Sequence, residues 1–388
     1  MIPLSVPEIR GNEWAYVKEC LDTGWVSSAG KFVDRFEQEI ARYTGAKHAV
    51  ACASGTAALH VALMLAGVRP DDEVLVPTLT FIASVNVIRY LGAHPVFMDC
   101  DEYYNLDAGK TVEFLARETE FTGGCTRNKR TGRRISAILP VHILGNAVQL
   151  EPLLPLCRER NIRVVEDAAE SLGTVYTAGA AQGRHSGTLG DIGCLSFNGN
   201  KVITTGGGGM ILVDDPAIAQ RAKYLTTQAK DDEARFVHHE VGYNYRLTNI
   251  QAALGLAQLE QLPGFLSVKR RNYQDYAQRL REIPGLRLGP LPAYADNNCW
   301  LCALQIDAAV YGQDREAVMA RLGSGGIQTR TLWHLNHLQQ PYRECQTYRL
   351  ERAPGLWDRS LCLPSSSGLS QAEVGEVVAA LQPGARGS

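Results

Sequence analysis

The sequence predicts an α/β protein with a mostly parallel central sheet, followed by a smaller C-terminal α+β domain. Short apolar runs alternate with segments of helical period through the first half of the chain, which is typical of βαβ units. The chain has 388 residues, and at roughly 100 to 200 residues per domain this length allows two or three domains. A Pro263-Gly264 pair marks the predicted boundary. We therefore expect a large domain over 1–262 and a small domain over 263–388.

Five apolar runs are the predicted strands of the large domain. Helical period between them is clearest after Ala57 and again after Leu150. Each run leads into a loop and then a helix, and an open α/β sheet binds its ligand at these carboxyl ends of the strands. The predicted strands are 49–52, 73–76, 95–98, 135–139 and 163–165.

The remaining elements follow from capping residues and helix breakers. Residues 117–134 are polar and contain several glycines, so we expect an exposed loop there. Thr248 predicts the start of a helix, and Pro263 predicts its end after Leu262. The small domain is then expected to hold a second helix over 267–283, a proline-rich loop over 284–292 and a strand over 300–306.

Composition and charge exclude several classes of protein. The chain has 39 basic and 41 acidic side chains, which leaves no basic surface signature for nucleic acid. The ten cysteines are scattered without a compact framework, as expected for reduced thiols. No run approaches the roughly 18 apolar residues of a membrane helix, and the N-terminus lacks the pattern of a signal peptide. We expect a soluble, cytoplasmic protein.

The segment from Ser54 to Leu59 is the first candidate binding motif. A predicted strand turns there through Gly55 and Thr56 directly into a helix. The first amides of a helix have no partner within it, and the helix dipole is positive at that end, so the turn predicts a phosphate site. The alternative is that Ser54 only caps the helix.

An acidic cluster follows the last predicted strand of this half. Asp167 comes two residues after the apolar pair Val164-Val165, where it could keep a heterocyclic nitrogen of a ligand protonated. The alternative is that Asp167 caps the next helix. Glu166 and Glu170 belong to the same cluster.

Lys201 is the candidate nucleophile. It lies in Ser196-Phe-Asn-Gly-Asn-Lys201, just before a run of four glycines. A lysine with few neighbouring charges and some desolvation has its neutral, nucleophilic form favoured, as a Schiff-base lysine requires. The spacing of a phosphate-binding P-loop is absent. An exposed lysine without a catalytic role is the alternative.

Other polar clusters are weaker candidates. Cys299 and Cys302 have the spacing of half a zinc site, but no second pair accompanies them, so we interpret them as strand packing and predict no metal. Arg330 presents a guanidinium that suits a carboxylate or a diphosphate. The candidate substrate-binding residues are Trp25, Lys31, His142, His185, Arg330, Trp333 and His337.

Four motifs in this order resemble one family. They are Ser54-Gly-Thr-Ala-Ala-Leu, Glu166-Asp-Ala-Ala-Glu-Ser, Ser196-Phe-Asn-Gly-Asn-Lys and Gly242-Tyr-Asn-Tyr-Arg-Leu-Thr-Asn. Together they resemble the DegT/DnrJ/EryC1/StrS family of pyridoxal-phosphate-dependent nucleotide-sugar aminotransferases. The resemblance implies fold type I of the pyridoxal-phosphate enzymes and a homodimer whose active sites lie at the subunit interface.

The resemblance also implies a role for each matched residue. Lys201 would bind the cofactor covalently, and Asp167 would pair with its ring nitrogen. Phe81 would stack on the ring, and Glu170 would lie near the cofactor hydroxyl, where many relatives carry Gln or His. The phosphate would be held by Gly55, Thr56 and Ser196, and by Asn244 of the other subunit.

The expected reaction is transfer of an amino group, with L-glutamate as the expected donor, to C4 of a nucleotide-linked 4-keto-6-deoxy sugar. Segments beginning at Trp25, Met98 and Trp333 resemble the legionaminic-acid and bacillosamine branch, which suggests a 2-acetamido sugar on UDP. A GDP-linked substrate, as in perosamine-type synthesis, is the alternative. A non-catalytic regulator or scaffold with the same fold is the alternative from another class.

Overall fold

An eight-stranded sheet forms the centre of the computed structural model, which describes residues 1–232 and 234–382. In chain order the strands of the described residues are β1 (His48–Cys52), β2 (Glu73–Pro77), β3 (His94–Met98), β4 (Thr119–Thr122), β5 (Cys125–Asn128), β6 (Ile135–Ile138), β7 (Arg163–Asp167), β8 (Val175–Tyr176), β9 (Ile192–Ser196), β10 (Gly209–Val213), β11 (Leu286–Leu288), β12 (Ala295–Asp296), β13 (Cys302–Ile306), β14 (Arg330–Thr331), β15 (Thr347–Tyr348) and β16 (Ser360–Leu363).

The helices cover both faces of this sheet and continue into the C-terminal region. They are α1 (Glu13–Thr23), α2 (Lys31–Thr44), α3 (Gly55–Leu65), α4 (Ala83–Tyr90), α5 (Ala108–Arg117), α6 (Leu153–Glu159), α7 (Pro216–Thr226), α8 (Asn249–Leu280), α9 (Ala308–Tyr311), α10 (Arg315–Ser324), α11 (Ala353–Arg359) and α12 (Gln371–Ala380). No helix of the described residues is both long and apolar enough to cross a membrane.

The sheet confirms the predicted mostly parallel arrangement. Its strand order is β1-β10-β9-β7-β6-β2-β3-β15. The pairs from β9 to β15 are parallel, whereas β10 runs antiparallel to both of its neighbours. Every residue of β2 and β10 is buried, as expected for strands covered by helices on both faces. The five predicted strands of this half correspond to β1, β2, β3, β6 and β7.

A second, four-stranded antiparallel sheet lies in the C-terminal region, in the order β11-β13-β16-β14. Its apolar side chains pack with α8, α10 and α12, and the buried Tyr276, Leu304 and Val318 belong to this core. The predicted strand over 300–306 begins at Cys302, because Cys299 has a φ of 52° and the chain turns there.

The predicted end of a helix at Pro263 is wrong. The helix α8 runs for 32 residues, from a capping box in which Thr248 and Gln251 bond reciprocally, to Leu280. Pro263 is exposed, while Leu262 and Phe265 on either side of it are fully buried. The missing backbone donor costs about 3 kcal/mol, and burial of the apolar stripe offsets it. The predicted boundary between 262 and 263 therefore falls inside a continuous helix, and the division into two domains stays a prediction.

The predicted loop over 117–134 is also wrong, since β4 and β5 form an antiparallel hairpin there. Gly123 and Gly124 connect the strands with φ values of 57° and 75°, the left-handed conformation that a two-residue hairpin turn requires. The side-chain amide of Asn128 is buried and donates to Glu73 Oε2 at 2.6 Å, which fixes the hairpin to the start of β2.

Asp99 attaches the C-terminal region to the edge of the main sheet. Its fully buried carboxylate follows β3 and accepts hydrogen bonds from the amides of Glu351, Arg352 and Ala353, at 2.8 to 2.9 Å. Lys110 Nζ donates to the same carboxylate at 2.5 Å. Burial alone would raise the pKa of Asp99, but Lys110 and the three amides outweigh it and hold that pKa below its ordinary value.

Replacing this carboxylate should destabilise the fold. We expect Asp99→Asn to lower the free energy of unfolding by about 2 to 4 kcal/mol, because Lys110 and the three amides lose a charged acceptor. The pKa of Asp99 is depressed in the folded chain, so its contribution is complete above the unfolded pKa of about 3.9 and is lost as the pH falls through the folded value. Denaturant unfolding at neutral and acid pH measures both effects.

Glu102→Gln is the matched control for that variant. Glu102 pairs with Arg352 of the same segment at 2.7 Å, but both side chains are about half exposed, so the change should cost less than about 1 kcal/mol. Equal losses in the two variants would contradict the assignment of Asp99 as the attachment point.

Candidate active site

One cavity of about 380 Å³ lies at the carboxyl ends of β7 and β9 and collects most of the residues that the sequence singles out. This is the edge at which an open α/β sheet binds its ligand. The predicted site residues that line it are Gly55, Thr56, Phe81, Asp167, Glu170, Ser196, Lys201, Arg330 and Trp333.

The start of α3 forms one side of the cavity. Ser54 does cap the helix, since its hydroxyl accepts from the amide of Ala57 at 3.1 Å. The amides of Gly55 and Thr56 lie in the first turn of α3 and have no acceptor within the helix. A Cβ on Gly55 would lie 2.8 Å from Ser196 Cβ, so only glycine lets the helix start approach the end of β9 this closely. Capping and a phosphate site are therefore compatible.

Asp167 is buried at the end of β7, and two hydrogen bonds fix its carboxylate. Ser84 Oγ donates to Oδ2 at 2.7 Å, and the amide of Ala169 donates to Oδ1 at 3.0 Å. Sequence reasoning missed Ser84, because a serine on α4 cannot be paired with an aspartate 83 residues away without the fold. The carboxylate is held in one orientation at the inner end of the cavity.

Glu166, next to Asp167 in the chain, has a structural role outside the cavity. Its buried carboxylate accepts from His142 Nε2 at 2.9 Å and from the amides of Gly187, Leu189 and Gly190. Burial alone would raise the pKa of Glu166, but these bonds hold it below the ordinary value. All of these partners lie outside the cavity lining, so Glu166 supports the loop that precedes β9.

Lys201 projects into the cavity from the loop between β9 and β10. Its Nζ lies 3.7 Å from Glu170 Oε1 and 4.1 Å from the centre of the Trp300 ring. Trp300 Nε1 donates to the carbonyl of Asn200 at 2.7 Å, which fixes the ring to the lysine loop. The sequence interpretation assigned the Cys299–Cys302 segment to strand packing and so missed Trp300.

Glu170 is buried beside this lysine. The amide of Leu144 donates to its Oε2 at 2.8 Å. Burial raises the pKa of Glu170 to about 7, although Lys201 acts in the opposite direction. The carboxyl group therefore changes charge near neutral pH, within reach of the lysine amine.

The remaining predicted site residues lie outside this cavity. Both ring nitrogens of His142 and of His185 are used within the fold, by Glu166 and Val148 and by Gly173 and Ser186 respectively. His337 bonds Thr78 through Nδ1 at 2.7 Å. Trp25 and Asn244 are exposed, and Lys31 pairs with Glu19. The predicted ligand contacts of these residues stay predictions.

A mostly parallel sheet of fold type I, with Lys201 and Asp167 in the lining of one cavity, defines a pyridoxal-phosphate-dependent transferase. A GDP-perosamine synthase of Caulobacter vibrioides is 39% identical over 382 residues, covering 98% of this chain and 97% of the relative. One of Escherichia coli O157:H7 is 35% identical and covers 96% and 95%. The solved aminotransferase TlmJ of Streptoalloteichus hindustanus superposes with a TM-score of 0.87 at 30% identity, over 98% of each chain.

The chain belongs to the DegT/DnrJ/EryC1/StrS aminotransferase family, whose model matches residues 7–382. It is a pyridoxal-phosphate-dependent sugar aminotransferase, as the sequence motifs predict. The resemblance to the legionaminic-acid and bacillosamine branch is not confirmed, because the matching relatives include GDP-perosamine synthases from three bacteria. The GDP-linked alternative is the better supported of the two substrate hypotheses.

Titration of Glu170 should be visible in the stability of the cofactor-free protein. Its pKa is raised to about 7 in the fold, against about 4.3 in an unfolded chain. Between these values the folded state binds the extra proton, so this group makes the free energy of unfolding fall as the pH rises. Glu170→Gln keeps an acceptor for the Leu144 amide and should remove that decline. Denaturant unfolding of both proteins between about pH 5 and pH 8 measures the difference.

Glu120→Gln serves as the control, because Glu120 is exposed on the β4–β5 hairpin. Its unfolding profile should parallel that of the wild type. Parallel profiles for wild type and Glu170→Gln would show that Glu170 does not titrate near neutrality.

Proposed function

We propose that this enzyme transfers an amino group from L-glutamate to C4 of a GDP-linked 4-keto-6-deoxy sugar, as in perosamine-type synthesis. The names of the relatives support the GDP-linked acceptor. The observation that carries the amino-transfer chemistry is that Lys201, Asp167 and the open start of α3 face one cavity. A cytoplasmic location stays a prediction from the sequence.

The residues that line the cavity fit pyridoxal phosphate. The amides and hydroxyl at Gly55 and Thr56, with Ser196, offer donors for the phosphate at the positive end of α3. Asp167, in the same lining, would supply the anionic partner of the ring nitrogen. Phe81 is half exposed in the cavity lining, which leaves a ring face free for stacking. We therefore assign these five residues to the cofactor.

When bound, pyridoxal phosphate supplies a sink for the electrons that are released as a proton leaves the donor carbon. Asp167 would keep the ring nitrogen protonated, and the hydrogen bonds from Ser84 and Ala169 hold its carboxylate in one orientation for that role. Lys201 would hold the cofactor through its amine. Its Nζ, when free, would serve as the base that moves a proton at the substrate carbon.

Glu170 and Trp300 set the environment of that amine. The Nζ of Lys201 has the Glu170 carboxylate at 3.7 Å and the centre of the Trp300 ring at 4.1 Å. Burial raises the pKa of Glu170 to about 7, so this carboxyl group is mostly neutral below that pH. We assign Arg330, which lies across the same cavity, to the carboxylate of the donor.

We also propose a homodimer in which each active site is shared. Asn244 is exposed and lies outside the cavity of its own chain, so it is available to the phosphate of a second copy. Trp25 and Lys31 are exposed as well, and we assign them to the nucleotide sugar bound by the second copy.

The substrate assignment is tested with a panel of nucleotide sugars. The purified enzyme with L-glutamate should convert a GDP-4-keto-6-deoxy sugar to its 4-amino product faster than the UDP-linked 2-acetamido analogue. Mass spectrometry and the proton coupling constants at C4 identify each product. Preference for the UDP-linked sugar would overturn the GDP assignment and leave amino transfer intact, whereas a colourless, inactive protein after incubation with pyridoxal phosphate would indicate a scaffold.

The catalytic assignments are tested by two single variants. Lys201→Ala should abolish turnover and prevent borohydride from fixing the cofactor to the chain, because the amine that binds it is gone. Asp167→Asn should keep the fold but lower kcat by several orders of magnitude, since a neutral amide cannot hold the ring proton. Lys47→Ala, at an exposed lysine, is the control and should behave as wild type. Normal turnover in either site variant contradicts the mechanism.

The shared site is tested by mixing two inactive proteins, Lys201→Ala and Asn244→Asp. The added carboxylate of the second variant repels the phosphate. In a mixed dimer one site carries both changes and the other carries neither, so activity should partly return after subunit exchange. If mass spectrometry shows mixed dimers and activity stays at the level of the separate variants, Asn244 does not act across the interface.

A further inference from the structure

A second cavity, of about 420 Å³, lies at the opposite edge of the main sheet. It is formed where β6 and β7 begin and where α3 and α6 end. Four arginines line it, Arg69, Arg134, Arg158 and Arg163, together with one carboxylate, Asp191. None of the residues assigned to the active site contributes to it.

Two of the four arginines are neutralised within the fold. Arg134 forms an ion pair with Asp72 and donates to the carbonyl of Gly67 at 2.7 Å. Arg163 donates to Asp191 Oδ1 at 2.6 Å. The positive charges of Arg134 and Arg163 are therefore balanced within the fold, and these two side chains hold the loops around the cavity in place.

The other two arginines leave a net positive charge at this cavity. Among the described residues, no side-chain hydrogen bond or ion pair engages the guanidinium of Arg69 or of Arg158. Both are exposed at the rim. A guanidinium presents paired donors that match the oxygens of a phosphate.

A third group at the cavity lacks a partner. The hydroxyl of Ser136 is buried, and it has no hydrogen bond within the described part of the chain. Ser136 lines the same cavity as the two free arginines. A buried hydroxyl without a partner costs stability, and an oxygen of a bound anion would satisfy it.

We infer that this cavity is a binding site for a small phosphate-bearing anion, held by Arg69, Arg158 and the Ser136 hydroxyl. Its volume lies within the usual range of small-molecule sites. The lining contains no aromatic ring on which a base could stack, so recognition is through the phosphate groups. The inference does not depend on the proposed substrate of the active site.

The geometry allows both cavities to be occupied together. The helix α3 begins with Gly55 at the active site and ends beside Gly67 at this second cavity. Its 11 residues correspond to about 16 Å at 1.5 Å per residue. β7 likewise runs from Arg163 to Asp167. A ligand at one edge therefore does not block the other.

The test uses the holoenzyme with its cofactor fixed by borohydride, so that the phosphate site of the cofactor is filled. Inorganic diphosphate is titrated calorimetrically at constant ionic strength, with sodium chloride as the comparison salt. Phenylglyoxal labelling, read by peptide mass spectrometry, reports whether diphosphate protects Arg69 and Arg158. The double variant Arg69→Ala/Arg158→Ala and the single variant Ser136→Ala are compared with Arg271→Ala/Arg281→Ala, which removes two exposed arginines elsewhere.

Diphosphate should bind the wild type and the control, protect both arginines, and bind the double variant on the order of tenfold more weakly. Ser136→Ala should weaken binding by a smaller factor. Equal weakening in the control would show a general charge effect and overturn the site. Absence of saturable binding or of protection would also overturn it, as would protection by GDP but not by diphosphate, because recognition would then depend on the nucleoside.

Discussion

The close approach of the β10 backbone to the start of α3 is the constraint on which the active site depends. A Cβ on Gly209 would lie 2.4 Å from the carbonyl oxygen of Ser54, so no other residue fits without moving one of the two segments. This contact places the loop between β9 and β10, with Lys201, beside the amides of the helix start. β10 runs antiparallel to both of its neighbours, β1 and β9. The active site therefore depends on the strand whose direction is opposite to that of its neighbours in the main sheet.

Local sequence predicted five of the eight strands of the main sheet and its functional edge, because strands buried on both faces are continuous apolar runs. Gly55, Asp167 and Lys201 each follow such a run, and parallel strands bring their carboxyl ends to one edge. The same reasoning could not find Ser84 or Trp300, whose partners are distant in the chain. Their positions depend on which helices and loops meet at the cavity, and that is a property of the packing.

The errors of prediction have physical causes that are specific to each segment. Pro263 is a local signal for a helix end, but the buried stripe of Leu262 and Phe265 stabilises the helix beyond it. The Gly123-Gly124 pair was interpreted as a feature of a loop, although a pair of glycines also permits a tight hairpin. The UDP-linked substrate, which rested on the resemblance of short segments, is not confirmed, since the full-length relatives include GDP-perosamine synthases. Contacts of His142 and His185 within the fold likewise could not be inferred from their positions in the chain.

The continuous helix α8 has a mechanical consequence. It spans about 48 Å at 1.5 Å per residue, and buried residues along its 32-residue length pack against both the main sheet and the C-terminal sheet. Lys269, buried in the C-terminal half of the helix, donates to the carbonyls of Trp300 and Ser365 at 3.2 and 2.6 Å. Rotating the C-terminal region relative to the main sheet would bend α8 and break the two hydrogen bonds of Lys269. Because α8 is continuous through both packed regions, it resists hinge motion between them and acts as a stiff connection rather than as a hinge.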